Sequence, residues 1–247
     1  RLLLMILVFT LSGNINNIFS WDSTAVKFMP LQVGNTWVYR CTAIGMACNC
    51  TKKYKFKITS SLNLNGRTYF IFSSSSVNLS CSFNYCNGPS IFDTLRVDSV
   101  SGNLFKFSSS GCSNSPFEIL VDRLNARLSD TVRNFCGTSQ YRYICLDTAE
   151  YNIFGSSRRS KSFSELQFET GYGRKFTEGF GVTESGYGSI LCSQNSVLIG
   201  CVINSMLFGD TSMLTGINQI SSEIPEMFSL SQNYPNPFNP STKITLQ

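Results

Sequence analysis

Between residues 53 and 58, lysine alternates with a large apolar side chain: Lys53, Lys55 and Lys57 against Tyr54, Phe56 and Ile58. A period of two puts rings on one face and charges on the other, as in a half-buried strand. Asn65-Gly66 follows, and a type I′ turn needs positive φ at both central positions, which this pair tolerates best. The chain is therefore expected to return along residues 67–72 as a hairpin. Residues 95–100 and 104–107 flank a Ser101-Gly102-Asn103 turn in the same manner, and 117–121, 141–145, 162–168 and 197–203 read as further short strands. No stretch sustains a 3.6-residue apolar period between caps, so helix content should be low. The expected fold class is all-β: an antiparallel β-sandwich or a curved, partly closed barrel, disulfide-stabilised. Trp37 and Tyr39 share a strand face and are assigned to its core, with ligand stacking as the lesser alternative.

Composition narrows the function classes. The chain of 247 residues is 42% hydrophobic and 13% aromatic, enough to offset the entropy of ordering. Charged residues are only 14%, and the net charge of +5 is scattered, which gives no footprint for nucleic acid. There is no histidine. That excludes Ser-His-Asp and Cys-His catalysis and His-ligated zinc. No cofactor and no metal is implied. The Gly-rich triplets at 171–173 and 179–181 lack the third glycine and the βαβ setting of a dinucleotide site, and the stretch from Thr170 to Gly173 reads as a turn.

The ten cysteines are Cys41, Cys48, Cys50, Cys81, Cys86, Cys112, Cys136, Cys145, Cys192 and Cys201. The number is even and no C-x-x-C occurs, which favours disulfides over zinc or redox chemistry. Ten cysteines allow about 945 pairings. Sequence-local pairs are the first expectation: Cys81 with Cys86, Cys136 with Cys145, and Cys192 with Cys201. Cys41 then takes Cys48 or Cys50, and Cys112 the remaining partner. At least three bridges are expected.

The organisation expected is a secretory signal over 1–20, a β-rich extracellular domain over 27–212, a linker over 213–223 and a tail over 224–247. Arg1 precedes about a dozen apolar residues, too few for the roughly 20 a bilayer needs, and small polar residues follow. The n-region is expected to be clipped, with no transmembrane segment in the mature chain. Within the body, the Ser/Asn-rich stretch 73–89 reads as a long loop pinned by Cys81 and Cys86. The basic stretch 155–161 reads as a flexible loop, with contact to an anionic glycan as its functional alternative.

In the tail, Pro235, Pro237 and Pro240 forbid helix and leave an extended segment, after which Lys243 begins an alternating strand. The order Phe228, Leu230, Gln232, Asn233, Tyr234, Pro235, Asn236, Pro237, Phe238, Asn239, Pro240, Ser241, Thr242 resembles the opening of the type A C-terminal sorting domain of type IX secretion. That resemblance implies a small β-sandwich, here truncated after its first strand, and the type IX machinery as partner. It also implies passage across the outer membrane to a secreted or surface location. The body is similar to an uncharacterised β-rich module found before such tails, through residues 29–39, 65–69, 95–98 and 175–181. No activity follows from that similarity.

One chemistry survives the absence of histidine, a carboxylate pair as in glycoside hydrolysis. Glu165 and Glu169 on one strand would lie about 13 Å apart, beyond the usual spacing of about 5–9.5 Å. Glu178 and Glu184 are separated by Gly-rich chain and could approach. The favoured expectation is a non-enzymatic binding or structural module of unknown ligand, with surface glycan or extracellular matrix as partner. A secreted glycan-acting hydrolase is the alternative.

Overall fold

The computed structural model describes residues 23–46, 48–81, 86–107, 118–136, 139–165, 171–189, 191–213, 234–239 and 241–243, of which 134–136, 139–141 and 234–243 by backbone alone. The expected signal over 1–20, Glu169 and Cys112 lie outside these. The chain divides into two units, Arg1–Met213 and Leu214–Gln247.

Among its described residues the first unit has one short helix, α1 (Ser23–Lys27), and fourteen strands. They are β1 (Thr36–Gly45), β2 (Cys48–Leu64), β3 (Arg67–Cys81), β4 (Thr94–Val97), β5 (Asn103–Phe107), β6 (Glu118–Arg123) and β7 (Thr131–Cys136). The second half follows as β8 (Ser139–Asp147), β9 (Glu150–Ile153), β10 (Ser156–Glu165), β11 (Gly171–Thr177), β12 (Gly181–Gly188), β13 (Ser193–Ile203) and β14 (Met206–Gly209). All ladders are antiparallel, in the order β6-β5-β4-β3-β2-β1-β13-β12-β11-β10-β8-β7, with β14 added to β13 and β9 to β10. Each half is a meander, and the halves meet where β1 pairs with β13. β6 and β7 come together at the other end without a ladder, so the twelve-stranded sheet is a barrel with one open seam. Between the two architectures the sequence allowed, this is the barrel.

The Asn65-Gly66 turn forms as expected. Leu64 faces Arg67, with φ of 51° at Asn65 and 74° at Gly66. A second turn of this kind joins β9 to β10 through Phe154 (φ 49°) and Gly155 (φ 76°). The basic stretch 155–161 is therefore a strand after its first residue, not a loop: Ser156 pairs with Ile153 and Arg159 with Glu150. The serine-rich run after Phe72 is also a strand, since β3 continues to Cys81, paired with β2 from Leu64 back to Cys50. Lys57, Lys55 and Lys53 of β2 face Ser73, Ser75 and Val77, so ladder hydrogen bonds rather than burial hold this outer stretch. Gly171 to Gly173 opens β11 instead of making a turn. The β4–β5 turn occupies 98–102, and Asn103 already belongs to β5.

The interior is filled. Trp37 and Tyr39 are fully buried, as expected, with Nε1 of Trp37 donating to Phe180 O (2.7 Å) and the Tyr39 hydroxyl to Val182 O (2.6 Å). Phe92, from the connection after Cys86, packs against both and stacks on Phe56 at 4.5 Å between centroids. α1 delivers Ala25, followed by Phe28 and Met29, into the other half of the core. Burying such a side chain contributes about 1.5–3 kcal/mol. Gly181 is needed where these parts meet: its φ is +78°, and a Cβ would lie 3.3 Å from both Met29 Sδ and Trp37 Nε1.

A buried ion pair spans the interior. Arg174 of β11 reaches across the interior to the edge strand β6, with Nε 2.8 Å from Asp122 Oδ2 and Nη2 donating to Val121 O at 3.3 Å. Its guanidinium also faces the Tyr143 and Tyr172 rings. Burial pushes the Asp122 carboxyl above its ordinary range, against the pull of Arg174. An inward charge on an edge strand also disfavours pairing with a foreign strand. At the start of β6, Glu118 accepts from Nε and Nη2 of Arg96 on β4 and, on β3, from Arg67 (2.8 Å) and the Tyr69 hydroxyl (2.5 Å).

Three disulfides cluster at one end of the sheet: Cys41–Cys86, Cys48–Cys192 and Cys50–Cys81, with Cα separations of 6.0, 5.7 and 4.0 Å. At least three bridges form, but the sequence-local pairs do not. Cys192 immediately precedes β13 and Cys201 lies within it, nine residues and about 30 Å along the strand, so the two cannot meet. Cys201 and Cys145 are buried free thiols, which removes both from the disulfide set and excludes a Cys136–Cys145 bridge. Cys81 lies directly across the ladder from Cys50, and Cys86 turns back to Cys41, so they do not join each other.

Among its described residues the second unit has one antiparallel pair, β15 (Tyr234–Asn239) and β16 (Ser241–Lys243), with Tyr234 opposite Lys243. Lys243 thus belongs to a paired strand, and the rest of the strand expected from it, 244–246, lies outside the described residues. A two-stranded ribbon has only edges, which is where strand prolines are tolerated.

Candidate functional site

Most glycines in this protein answer a local need. Gly34, Gly66, Gly102, Gly155, Gly179, Gly181 and Gly209 have positive φ, while Gly45, Gly88 and Gly200 leave no room for a Cβ. Gly171, Gly173, Gly186 and Gly188 are different. All four sit inside strands without positive φ, and an added Cβ would meet nothing closer than 3.4 Å. The ladder pairs Gly171 with Gly188 and Gly173 with Gly186, flanking the pair Tyr172–Tyr187. Alternation points Arg174 and Phe176 into the core, so the four glycines lie on the outer face.

A strip without side chains lies between taller neighbours. Ser162 and Ser164 of β10 border it on one side, with Leu146 of β8 beyond, and Ser193 and Asn195 of β13 on the other. Lys175 and Glu184, 2.9 Å apart, close one end, and the Lys175 ammonium rests over the Tyr151 ring at 4.3 Å. The result is an open groove of about 570 Å³. Glycine weakens a strand and commonly marks close approach of a ligand or another backbone. The groove offers a flat floor, serine hydroxyls and an asparagine amide. It can bind; it has no nucleophile paired with a base.

The carboxylates singled out from sequence are engaged elsewhere. Glu178 lies 2.9 Å from Arg159 and 3.8 Å from Lys27, and the hydrogen bond from Arg159 holds its carboxyl below the ordinary range. Glu184 is tied to Lys175. Glu165 points into the barrel, where burial raises its pKa and its Oε1 has no hydrogen-bond partner. Within the basic stretch 155–161, weighed for a glycan contact, Arg159 is neutralised by Glu178 and Lys161 donates to Ala126 O (2.8 Å). Among the described residues no group of three or more acidic or cysteine side chains is placed to hold a metal ion. Among the described residues no helix is long and apolar enough to cross a membrane.

Of the tail residues, Tyr234, Pro235, Asn236, Pro237, Phe238 and Asn239 form β15, and Ser241 and Thr242 belong to β16. Phe228, Leu230, Gln232, Asn233 and Pro240 lie outside the described residues. The groove escaped the sequence reading, although its signal is present: Gly-Tyr-Gly occurs twice, at 171–173 and 186–188, at a spacing that one hairpin brings into register.

No family model matches the chain, and no curated protein matches it. Two solved structures share its outline. One is a protein named as exported, with a YmcC-like fold, from Bacteroides fragilis, at a TM-score of 0.38 and 9% identity, covering 68% of this chain and 95% of that one. The other, from Parabacteroides distasonis, is named as a lipoprotein, at a TM-score of 0.36 and 10% identity, covering 73% of this chain and 97% of that one. At these values neither likeness carries an argument.

Proposed function

We propose that this is an exported protein, addressed by its tail to type IX secretion, which works outside the cell as a non-enzymatic binding module. The three disulfides that join β1, β2, β3 and β13 carry the reading, because such bridges persist in oxidising compartments. The groove over β10–β13 is the contact face of the module: four glycines that the fold does not require keep this outer strip open. The tail supports the route through its resemblance to a sorting domain, and it forms a unit separate from the body.

The test deletes the segment from Ile224 onward in the native gene. The truncated protein should stop in the periplasm with the Tm of its body unchanged, while the intact protein appears outside the cell. Equal export of both would overturn the address, and a large fall in Tm would make the tail part of the folded body.

A further inference from the structure

A second pocket lies at the turns that end β4 and β6, away from the groove, and its argument is independent of it. Arg123-Leu124-Asn125-Ala126-Arg127 alternates by burial: Leu124 and Ala126 are buried, whereas Arg123, Asn125 and Arg127 are exposed. The segment is anchored through its backbone. Leu124 N donates to Gly102 O (2.7 Å), Ala126 N to Arg123 O (3.0 Å), and Arg127 N to the Asp130 carboxylate (2.8 Å). Gly102 allows this, because a Cβ there would press on Asn125 and Ala25. The three outward side chains, together with Ser101, Asn103 and Asp130, line a polar pocket of about 440 Å³.

Two features of this pocket ask for a ligand. Four of the ten arginines between residues 27 and 213 have a carboxylate within reach: Arg67, Arg96, Arg159 and Arg174. Among the described residues, Arg123 and Arg127 have none. Asn103, directly opposite Arg123 in the β5–β6 ladder, has a buried Oδ1 with no hydrogen-bond partner. An unmet buried acceptor costs free energy unless a donor reaches it. Two free guanidinium forks suit a carboxylate. The unmet Asn103 oxygen and the Asp130 carboxylate both call for hydroxyl donors, and Asp130 would repel a bare multivalent anion. Oxyanion and hydroxyl groups on one small molecule describe an acidic sugar.

We propose that this pocket binds a uronic acid residue of an anionic glycan, its carboxylate on Arg123 and Arg127 and its ring hydroxyls on Asn103 and Asp130. The test is calorimetric titration of the full chain with D-glucuronate, D-glucose and inorganic phosphate, repeated on Arg123→Gln, Arg127→Gln and Asn103→Ala. Glucuronate should bind and glucose should not, and each variant should weaken glucuronate about tenfold or more. The two arginines are exposed, so an unchanged Tm will show that their variants fold. The proposal is overturned if glucuronate does not bind or if the arginine variants bind it as tightly as the parent. It is also overturned if phosphate binds as well as glucuronate, which would mean the pocket reads charge alone.

Discussion

Removing the disulfides one at a time should rank them by the loops they close. The bridge Cys48–Cys192 spans a sequence separation of 144 and joins the two meanders, whereas Cys41–Cys86 and Cys50–Cys81 span 45 and 31 within the first. In the chain-entropy account a loop of that largest size is worth about 5 kcal/mol at 25 °C. The other bridges shorten its effective loop only to about 110 residues, which lowers the figure by a few tenths of a kcal/mol. The two smaller bridges are nested instead. With either in place, the other closes an effective loop of about 14 residues and contributes about 3 kcal/mol. All six sulfurs belong to buried or half-buried residues of one cluster, so truncation to alanine removes similar packing in each case. For a body of this size, each kcal/mol shifts Tm by about 2–4 °C. The Cys48→Ala/Cys192→Ala variant should therefore lose about 10–20 °C, and either smaller pair about 6–12 °C, by calorimetry under non-reducing conditions. An equal loss for all three, or the largest loss from Cys50→Ala/Cys81→Ala, would refute the loop argument.

Two other perturbations follow from the structure. Glu118 is held ionised by Arg96, Tyr69 and Arg67, which outweigh the effect of its burial and set its pKa below the ordinary value. Its contribution is therefore present above the unfolded pKa of about 4.3 and is lost as pH falls through the lower folded value. Glu118→Gln should destabilise by about 3–5 kcal/mol at pH 7 and flatten the acid limb of the urea midpoint against pH; an unchanged limb would remove Glu118 from that role. Gly188→Ala should raise stability by about 0.5–1 kcal/mol, because neither φ nor space requires glycine there. A loss of stability would mean the glycine serves the fold and not the groove.

What the sequence showed depended on whether the deciding contact was local. The alternation before Asn65 and the turn itself lie within a few residues, and both were legible. The turn at Phe154-Gly155 was not, because an aromatic residue at positive φ is no turn signal and only the β9–β10 pairing imposes it. The serine run of β3 has no apolar period, and its strand exists because β2 is long enough to template it. Cysteine pairing was least legible of all. Cys48 meets Cys192 only because β1 lies between β2 and β13 in the sheet, a fact of strand order that no local spacing encodes. The paired Gly-Tyr-Gly triplets were visible as residues, but their meaning needs the register that lays one against the other.

The claim of an exported, oxidised barrel rests on its disulfides, and mass-spectrometric mapping of the unreduced protein purified from its native host tests it most directly. Thiols should be blocked before digestion. The account predicts linked peptides for Cys41–Cys86, Cys48–Cys192 and Cys50–Cys81, with Cys145 and Cys201 recovered as blocked free thiols. Recovery of Cys41, Cys48, Cys50, Cys81, Cys86 and Cys192 as free thiols would contradict it.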